Sequence, residues 1–463
     1  MEKNAVPFGY GPALLGSFLL GVSIIYSNGA YSEAALHCVV LALLVLGWRF
    51  LVSLRGDPPA HGDPTLAIGL AWVGLAGMLW IGWNDRGLII YAQRPWDAAK
   101  SAQVGMFLLL CSYVPAMVLR KVEHPAVRAV RFALFAVCIV IAGVDTIKVS
   151  PTPAIDVWSV QTKASAAFSK GLNPFTAVGT PNTQPGVAGA TIPYVYPPLQ
   201  VYLSWIGWKL FGDVRYTMLM GLLVAGGAMR FIARRGEPLL APTKLEPLLE
   251  DAPALFLWLT PKLLFVLEQA WTDTLEITFL SLFLAAYIKR RTWIAAVMLG
   301  LTLSSKQTMF WIVPMAALML GLTLRQWIVT GITGVVLAFP YVVWDFHAFK
   351  FAVIDFQNLL PPRSDGLTLT NWYAKKEAQK LGGAAIAFAL AGTVAGAAMW
   401  RLRRSPSLFA SSVALVYLVF FAFNKWAFAN YYYLVAGLAA LAAAASFNDG
   451  APSRTASSST ADA

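Results

Sequence analysis

The residues of this chain best suited to chemistry are charged and amide side chains that interrupt long apolar stretches. A carboxylate at the end of an apolar helix is costly unless it has a partner or a task, so such residues are candidates for a functional site. The predicted topology brings a set of them to one face of a membrane. The set comprises the carboxylates Asp145, Asp156, Glu268, Asp273, Asp345 and Asp355, the bases Lys163, Arg215, Lys306 and Arg363, and the amides and aromatics Tyr194, Tyr196, Gln307, Asn430 and Tyr431.

Two members of this set have the clearest chemical use. Lys306, followed by Gln307, interrupts the apolar run GLTLSSKQTMFWIVP, where an ammonium can neutralise a lipid phosphate as a point charge. Alternatively, its long side chain only reaches the membrane interface. Asp156 leads a predicted amphipathic helix, whose N-terminus stabilises an ionised carboxylate. Alternatively, it only caps that helix.

Composition indicates a membrane protein. Hydrophobic residues make up 58% of the 463 residues and charged residues only 13%. Apolar runs of about 18 or more residues, long enough to cross about 30 Å of hydrocarbon as helices, recur along the chain. The net charge of +12 does not indicate nucleic-acid binding, because Lys and Arg occur in short clusters between the apolar runs. We therefore predict an all-α polytopic membrane protein.

Several other kinds of site lack their sequence signals. The chain has no P-loop, no dinucleotide-binding glycine fingerprint and no zinc-spaced Cys/His set. Cys38, Cys111 and Cys138 all lie inside predicted membrane helices, which indicates neither a disulfide framework nor a metal cluster. The N-terminal segment MEKNAVPFGY is followed by no small-residue cleavage site, so we predict a retained first helix.

About fourteen crossings are predicted, with both chain ends in the cytoplasm. Placing Arg49, Arg55 and the cluster of Arg120, Lys121, Arg128 and Arg131 inside sets this orientation. The segment 198–211 is predicted as a surface helix, because a crossing there would put the basic clusters near Arg234 and Arg290 outside. The predicted spans are 10–27, 33–54, 64–83, 102–120, 128–147, 214–233, 252–270, 273–288, 292–304, 308–322, 326–344, 382–400, 407–424 and 429–447.

The first long outer loop, 148–193, carries a second predicted surface helix over 154–169. Val157, Val160 and Ala164 fall on one face of it, and Gly171 supplies a stop. A helix of this length and polarity is more typical of the membrane surface than of a span.

This loop resembles the first outer loop of the GT-C-type membrane glycosyltransferases. In IDVWSVQTKASAAFSKGLNPF and YVYPPLQVYLSWIGWKLFG, an Asp leads an amphipathic helix, a Gly-x-x-Pro-aromatic turn follows, and Tyr-x-Tyr-x-Pro precedes an apolar helix. WTDTLEITFLSLFLAAYIKRR and GLTLSSKQTMFWIVPM resemble the acid-led helix and the Lys-bearing helix turn of the same superfamily. The likeness covers about 132–447 and is greatest to bacterial branches that resemble polyprenyl-phosphate-mannose-dependent enzymes.

The resemblance implies an inverting hexosyltransferase with a polyprenyl-phosphate-sugar donor, a mannose-like hexose being favoured. Its acceptor would be lipid-linked or a glycan, on the non-cytoplasmic face of the cell inner membrane. The reaction needs a base for the acceptor, stabilisation of oxocarbenium-like charge and counter-charge for the departing phosphate. Asp156 is the predicted base. Asp273 would orient the base, hold the acceptor or, in metal-using relatives, help to bind a cation, unless it only caps its helix.

The resemblance also implies a set of substrate contacts. Tyr194 and Tyr196 could stack on sugar or line a prenyl groove, although membrane interfaces collect aromatic residues in any case. No cofactor is predicted. A divalent cation is not indicated, because many relatives carry paired acids where the first loop has only Asp156. The predicted substrate-binding residues are Lys163, Tyr194, Tyr196, Lys306, Gln307, Arg363, Asn430 and Tyr431.

Three regions follow from this comparison. Residues 1–121 hold extra N-terminal helices that have no counterpart in the resemblance. Residues 122–447 form the predicted catalytic module, with long outer loops at 148–193 and 345–380. Residues 448–463, rich in Ser, Thr and Ala, are predicted to be a disordered cytoplasmic tail.

An ion-coupled transporter is the main alternative function. Lys262 and Glu268 flank a proline-broken apolar stretch, TPKLLFVLEQ, and carriers use broken helices with charge near the middle of the membrane. Against this, no repeat relates two halves of the chain, and the polar residues gather at one face. A non-catalytic scaffold or lipid-binding protein is a third alternative.

Overall fold

The computed structural model describes residues 6–56, 61–85, 87–119, 123–181, 191–238, 240–242, 245–377, 383–402 and 405–449. The predictions for Arg120, Lys121 and residues 450–463 concern residues outside these ranges. The helices are α1 (Tyr10–Ser23), α2 (Glu33–Arg55), α3 (Pro64–Asn84), α4 (Asp97–Cys111), α5 (Val114–Leu119), α6 (Pro125–Val149), α7 (Asp156–Ser169), α8 (Pro174–Ala177), α9 (Pro198–Phe211), α10 (Arg215–Ala233), α11 (Pro247–Trp258), α12 (Leu263–Glu268), α13 (Asp273–Ile288), α14 (Thr292–Leu303), α15 (Ile312–Leu320), α16 (Leu324–Trp344), α17 (Phe346–Lys350), α18 (Phe356–Leu359), α19 (Leu369–Glu377), α20 (Gly383–Arg401), α21 (Pro406–Phe423) and α22 (Ala429–Ser446).

The strands are short and form two antiparallel pairs. The first pair joins β1 (Val6–Pro7) to β2 (His61–Gly62), and the second joins β3 (Gly179–Pro181) to β4 (Thr191–Pro193). Tight helical turns at 26–29 and 307–311, and a wide one at 351–355, complete the regular structure. The all-α prediction is confirmed.

Eight helices in the described ranges are long and apolar enough to cross a membrane. The surface of α16 suits lipid, since only 11% of its apolar window is buried and it exposes Ile328, Ile332 and Val336. So much unpartnered apolar surface indicates a membrane-embedded protein. The eight are Glu33–Arg55, Pro64–Asn84, Asp97–Leu119, Pro125–Val149, Arg215–Ala233, Leu324–Trp344, Ala384–Arg401 and Pro406–Phe423.

Each of these eight corresponds to one predicted span. The other six predicted spans are shorter, buried or interrupted helices. Four are helices of fewer than 18 residues, and α22 is an 18-residue helix that is almost entirely buried. The predicted span 252–270 is interrupted, because α11 ends at Trp258 and α12 begins at Leu263. Pro261 lies in the break and has no backbone N–H to continue the helix.

Both predicted surface helices are present as helices. The first begins at Asp156 and ends at Ser169, and Gly171 follows it with φ +71°. The second, α9, covers the predicted 198–211, with Pro198 in its first turn and Gly212 in the left-handed conformation after it. Its 14 residues extend about 21 Å, which is short of the roughly 30 Å of a hydrocarbon core.

The N-terminal helices pack into the body of the protein. Helix α1 lies against α22, α2 against α21, α3 against α11, and α4 against α6. Cys38, Cys111 and Cys138 lie in α2, α4 and α6, as predicted. The run of small residues in α22 lets neighbouring helices approach closely.

The start of the predicted disordered tail is ordered. Asn448 Nδ2 donates to Ile232 O at 2.9 Å, and Asp449 Oδ1 accepts from Ser405 Oγ at 2.6 Å. The prediction of disorder is therefore wrong for these two residues, because their side chains bond to Ile232 of α10 and to Ser405, the residue before α21.

The turn at 26–29 carries backbone strain and a close contact. Ser27 and Asn28 have φ of 51° and 54°, and Gly29 has φ +75°. A Cβ on Gly29 would overlap the backbone of Ala429, at the start of α22. The turn therefore fixes the first helices against α22.

We expect Gly29→Ala to destabilise the protein by about 1–3 kcal/mol from overlap alone, in addition to about 1–2 kcal/mol for the left-handed conformation. Thermal unfolding of the purified protein in one detergent measures this. Gly171→Ala is the matched control, since its φ is +71° and nothing lies within 4 Å of the added Cβ. Equal losses in the two variants would contradict the close packing of the turn.

Candidate functional site

A cavity of about 740 Å³ lies among the segments that connect helix ends. As the described residues define it, the cavity brings together eight of the ten predicted catalytic and substrate-binding residues. These are Asp156, Tyr196, Asp273, Lys306, Gln307, Arg363, Asn430 and Tyr431.

A buried ion-pair cluster forms part of its wall. Lys306 Nζ is 2.8 Å from Asp273 Oδ1 and 3.1 Å from Glu276 Oε1. Asn430 Nδ2 donates to the other oxygen of Asp273 at 3.0 Å. The ring of Tyr431 lies beneath the ammonium, with its centroid 5.1 Å from Nζ. One cation is thus shared by two carboxylates and an aromatic face.

The charge state of Lys306 follows from this setting. Burial by itself would lower the pKa of the ammonium, but the carboxylates of Asp273 and Glu276 outweigh burial and raise it above its ordinary value. Lys306 therefore stays positively charged at neutral pH.

The elements that carry these groups explain their meeting. Asp273 is the first residue of α13, Asn430 is the second of α22, and Lys306 lies in the break after α14. Glu276, which the sequence analysis missed, follows Asp273 by three residues and so shares its helix face. The three-residue spacing from Asp273 is the sequence signal that could have identified Glu276.

Glutamine side chains hold the Lys306 segment in place. Gln200 Nε2, on α9, donates to Ser305 O at 2.9 Å. Gln307 Nε2 donates to Val195 O at 2.6 Å and to Val353 O at 3.1 Å. Gln307 therefore joins three segments of the cavity wall, a positioning role that its prediction as a substrate contact did not include.

Asp156 reaches the cavity as the first residue of α7, and a buried glutamine fixes that helix. Asp156 Oδ1 accepts from Val157 N at 2.8 Å. Gln161 Nε2 donates to Ala270 O at 2.8 Å, and its Oε1 accepts from Ser204 Oγ at 2.7 Å. Ala270 precedes Asp273 by three residues, so one side chain fastens both acid-bearing segments. The sequence signal for Gln161 was its position, a polar side chain on the apolar face of α7.

Tyr196 lies among the charged groups. Burial raises the pKa of its phenol above the ordinary value, the Asp156 carboxylate raises it further, and Lys306 lowers it. Tyr196 lines the cavity together with Asp156 and Lys306, and its phenol stays protonated at neutral pH.

Lys163 and Tyr194 lie outside the cavity lining. Lys163 is exposed, and its Nζ donates to Gly179 O at 3.3 Å. It follows Asp156 by two helical turns, about 10 Å along the axis. Tyr194 is fully buried, with its ring centroid 5.5 Å from that of Phe175.

Other charged candidates have structural partners elsewhere. Asp145 accepts from Ala99 N at 2.8 Å, and Asp345 accepts from Ala348 N at 3.0 Å. Asp355 pairs with Lys350 at 2.6 Å. Arg215 pairs with Asp213 and donates to the carbonyls of Ile147 and Ser150. These groups stabilise helix ends and connections.

A second cationic region borders the cavity. Arg363 Nε donates to Asp365 Oδ1 at 2.9 Å, and its guanidinium lies 4.5 Å from the ring centroid of Phe428. Lys425, which the sequence analysis missed, donates to two backbone carbonyls, at 3.1 and 2.9 Å. Burial lowers the pKa of its ammonium. The sequence signal for Lys425 was its place beside Trp426, just after an apolar helix.

The cavity also has an aromatic side, formed by Phe310, Phe388, Phe420 and Phe421. Phe310 and Phe388 are 42% and 46% exposed, and their ring centroids are 5.8 Å apart. Phe388 belongs to α20, one of the eight candidate spans. The cavity therefore joins charged groups to an apolar surface of a lipid-facing helix, an arrangement suited to an amphipathic ligand.

Lys262 and Glu268, the charged residues that suggested a transporter, both have hydrogen-bond partners within the protein. Lys262 Nζ lies 2.5 Å from Asp85 Oδ2 and donates to Asn28 Oδ1 at 2.6 Å. The two oxygens of Glu268 accept from the backbone N–H groups of Ile90 and Tyr91, each at 2.8 Å. Both side chains bind connections of the N-terminal helices.

Within the described ranges, no group of three or more His, Cys, Asp and Glu residues is placed to hold a metal ion. Both oxygens of Asp273 already accept hydrogen bonds from protein groups. The chain matches no family model and no curated protein. The geometry of the cavity therefore carries the functional argument.

Proposed function

We propose that this chain is a membrane glycosyltransferase. It moves a sugar from a polyprenyl-phosphate donor to a hydroxyl of a lipid-linked or glycan acceptor on the non-cytoplasmic face. The observation that carries the proposal is that Asp156 and Lys306, a carboxylate and a cation from distant parts of the chain, line one cavity. The GT-C resemblance supplies the reaction class.

Asp156 is the general base in this proposal. The acceptor hydroxyl oxygen attacks the anomeric carbon, and the bond from that carbon to the phosphate oxygen breaks. Asp156 takes the hydroxyl proton, and the polyprenyl phosphate leaves with the bonding electron pair. The displacement inverts the anomeric centre. No cofactor is required.

Counter-charge for the phosphate comes from cations bordering the cavity. Lys306 has three N–H donors and uses two of them on Asp273 and Glu276, which leaves one for a phosphate oxygen. Lys425 adds positive charge along the same wall, where Arg363 is paired with Asp365. Asp273, with both oxygens occupied, orients Lys306.

The aromatic side of the cavity accommodates the lipid part of the donor. Phe310 and Phe388 offer rings to a prenyl chain where the cavity meets the surface of α20. Burial of apolar chain there contributes roughly 0.8 kcal/mol per CH₂ group. Tyr196 and Tyr431 can stack on the sugar.

The finer features of the proposal come from the sequence. A mannose-like hexose and location in the cell inner membrane follow the resemblance. If the six shorter or interrupted segments also cross, the chain spans the bilayer about fourteen times with both ends in the cytoplasm.

The direct test incubates the purified full chain with a panel of radiolabelled polyprenyl-phosphate sugars and membrane lipids. We expect label from one donor to appear in an acceptor, with polyprenyl phosphate released. Folding is checked by a monodisperse elution profile and a cooperative thermal transition. A folded protein that transfers label from no donor in the panel contradicts the proposal.

An ion-coupled transporter is less well supported, because Lys262 and Glu268 have their hydrogen-bonding capacity used by fixed backbone and side-chain partners. The two functions separate in one comparison. A carrier tolerates Asp156→Asn and fails when Lys262 is changed, whereas a transferase loses product formation with Asp156→Asn.

A further inference from the structure

We infer that two connections of the N-terminal region, the 26–29 turn and residues 87–93, are part of the transfer apparatus: together they form one wall of the cavity, and residues 87–93 position the Asp156 helix. This inference rests on the proposed function. It assigns a role to 1–121, the region that the resemblance left without one.

The wall is seen in the residues that border the cavity. Asn28 and Ala30 come from the connection between α1 and α2, and Ile90 and Tyr91 come from the connection between α3 and α4. A substrate that reaches Asp156 therefore meets side chains of the N-terminal region. Residues held in sparsely populated backbone conformations, as Ser27 and Asn28 are, concentrate at functional sites.

Two buried charges hold these connections to the rest of the protein. Glu268 accepts from the N–H groups of Ile90 and Tyr91, and Lys262 donates to Gly87 O at 2.9 Å as well as binding Asp85 and Asn28. Burying charge costs several kcal/mol per ion unless strong hydrogen bonds offset it. Among the described residues, the side-chain hydrogen bonds that Lys262 and Glu268 make to distant parts of the chain all go to the N-terminal connections.

Residues 91–93 also contact the segment that precedes Asp156, the proposed base. Gln93 N donates to Val149 O at 2.7 Å, and Gln93 Nε2 donates to Thr152 Oγ1 at 3.3 Å. The Tyr91 hydroxyl donates to Ala154 O at 3.2 Å. Ala154 lies two residues before Asp156. A continuous path therefore runs from Glu268 through the 90–93 backbone to the segment that enters α7.

Tyr91 is the residue that tests this path. Burial raises the pKa of its hydroxyl, and the charges of Glu268 and Asp156 raise it further, so it remains a protonated donor to Ala154. Tyr91→Phe removes that one hydrogen bond and keeps the ring. Tyr91 is a positioning residue, since it acts on Asp156 through Ala154.

Tyr10→Phe is the matched control. The Tyr10 hydroxyl also joins an N-terminal helix to a backbone carbonyl, Leu249 O, at 3.0 Å, but Tyr10 does not border the cavity as the described residues define it. Both variants lose one hydroxyl-to-carbonyl hydrogen bond between the N-terminal region and the rest of the chain.

In the full chain we expect Tyr91→Phe to lower kcat about fivefold, with KM for the donor unchanged. A fivefold change corresponds to the free energy of about one hydrogen bond. Tyr10→Phe should lower thermal stability and leave kcat unchanged. Glu268→Gln, which leaves one of the two N–H groups facing an amide NH₂, should lower kcat by roughly tenfold to a hundredfold.

The outcomes separate this inference from the proposed function. A wild-type protein that transfers no sugar overturns both. A wild-type protein that transfers sugar, with kcat of Tyr91→Phe equal to that of Tyr10→Phe, overturns the inference alone. A lower kcat for Tyr91→Phe than for Tyr10→Phe supports it, whatever the change in thermal stability, since purely structural anchoring would lower stability in both variants and leave kcat unchanged in both.

Discussion

Changing Asp156 to asparagine is expected to reduce sugar transfer by roughly 10²- to 10⁴-fold, the range that general-base catalysis contributes. The amide is nearly the same shape and retains an oxygen that can accept from Val157 N, but it cannot take the acceptor proton. The measurement is the initial rate of label transfer by purified protein at saturating donor. Membrane insertion and thermal stability should stay near wild type.

Asp345→Asn is the control for this variant. Asp345 also accepts a backbone hydrogen bond at the start of a helix, from Ala348 N, and it lies outside the cavity lining. The same chemical change there should leave the rate unaltered. Full activity of Asp156→Asn would show that another group removes the proton.

Changing Lys306 to methionine is expected to destabilise the protein by about 3–5 kcal/mol, the cost of breaking a buried ion pair by removing one partner. The change would leave Asp273 and Glu276 facing each other without a cation. Thermal unfolding in one detergent and the yield of monodisperse protein report the loss. Adding Glu276→Gln should recover part of it, because only one buried carboxylate then remains.

The control for this prediction is an exposed ion pair. Lys350 and Asp355 are 2.6 Å apart, with side chains 46% and 40% exposed. Lys350→Met should cost under about 1 kcal/mol, because water and salt already screen that pair. If Lys306→Met is no more harmful than Lys350→Met, the cluster does not hold the cavity together.

Local patterns in the sequence predicted local structure well. The helix led by Asp156 and the helix at 198–211 follow from helical periodicity and from proline and glycine positions at their ends. Those signals act within a few residues, so no tertiary information was needed. The break at 259–262 also has a local signal, since Pro261 stands inside the apolar stretch TPKLLFVLEQ.

The candidate site depended on tertiary contacts that spacing does not encode. Asp273, Lys306 and Asn430 meet because α13, the end of α14 and α22 pack together, over separations of up to 157 residues. Gln161 and Tyr91 were missed for the same reason, since their partners lie 109 and 63 residues away. Glu276 was the exception, because its spacing from Asp273 was visible.

The carboxamide of Gln161 has a consequence for how this protein can change over time. Because it bonds to both Ala270 and Ser204, one buried side chain sets the distance between the segments that carry Asp156 and Asp273. Natural variation at position 161 is therefore expected to be narrow, because a residue that cannot bond to both partners would let the two acids move apart.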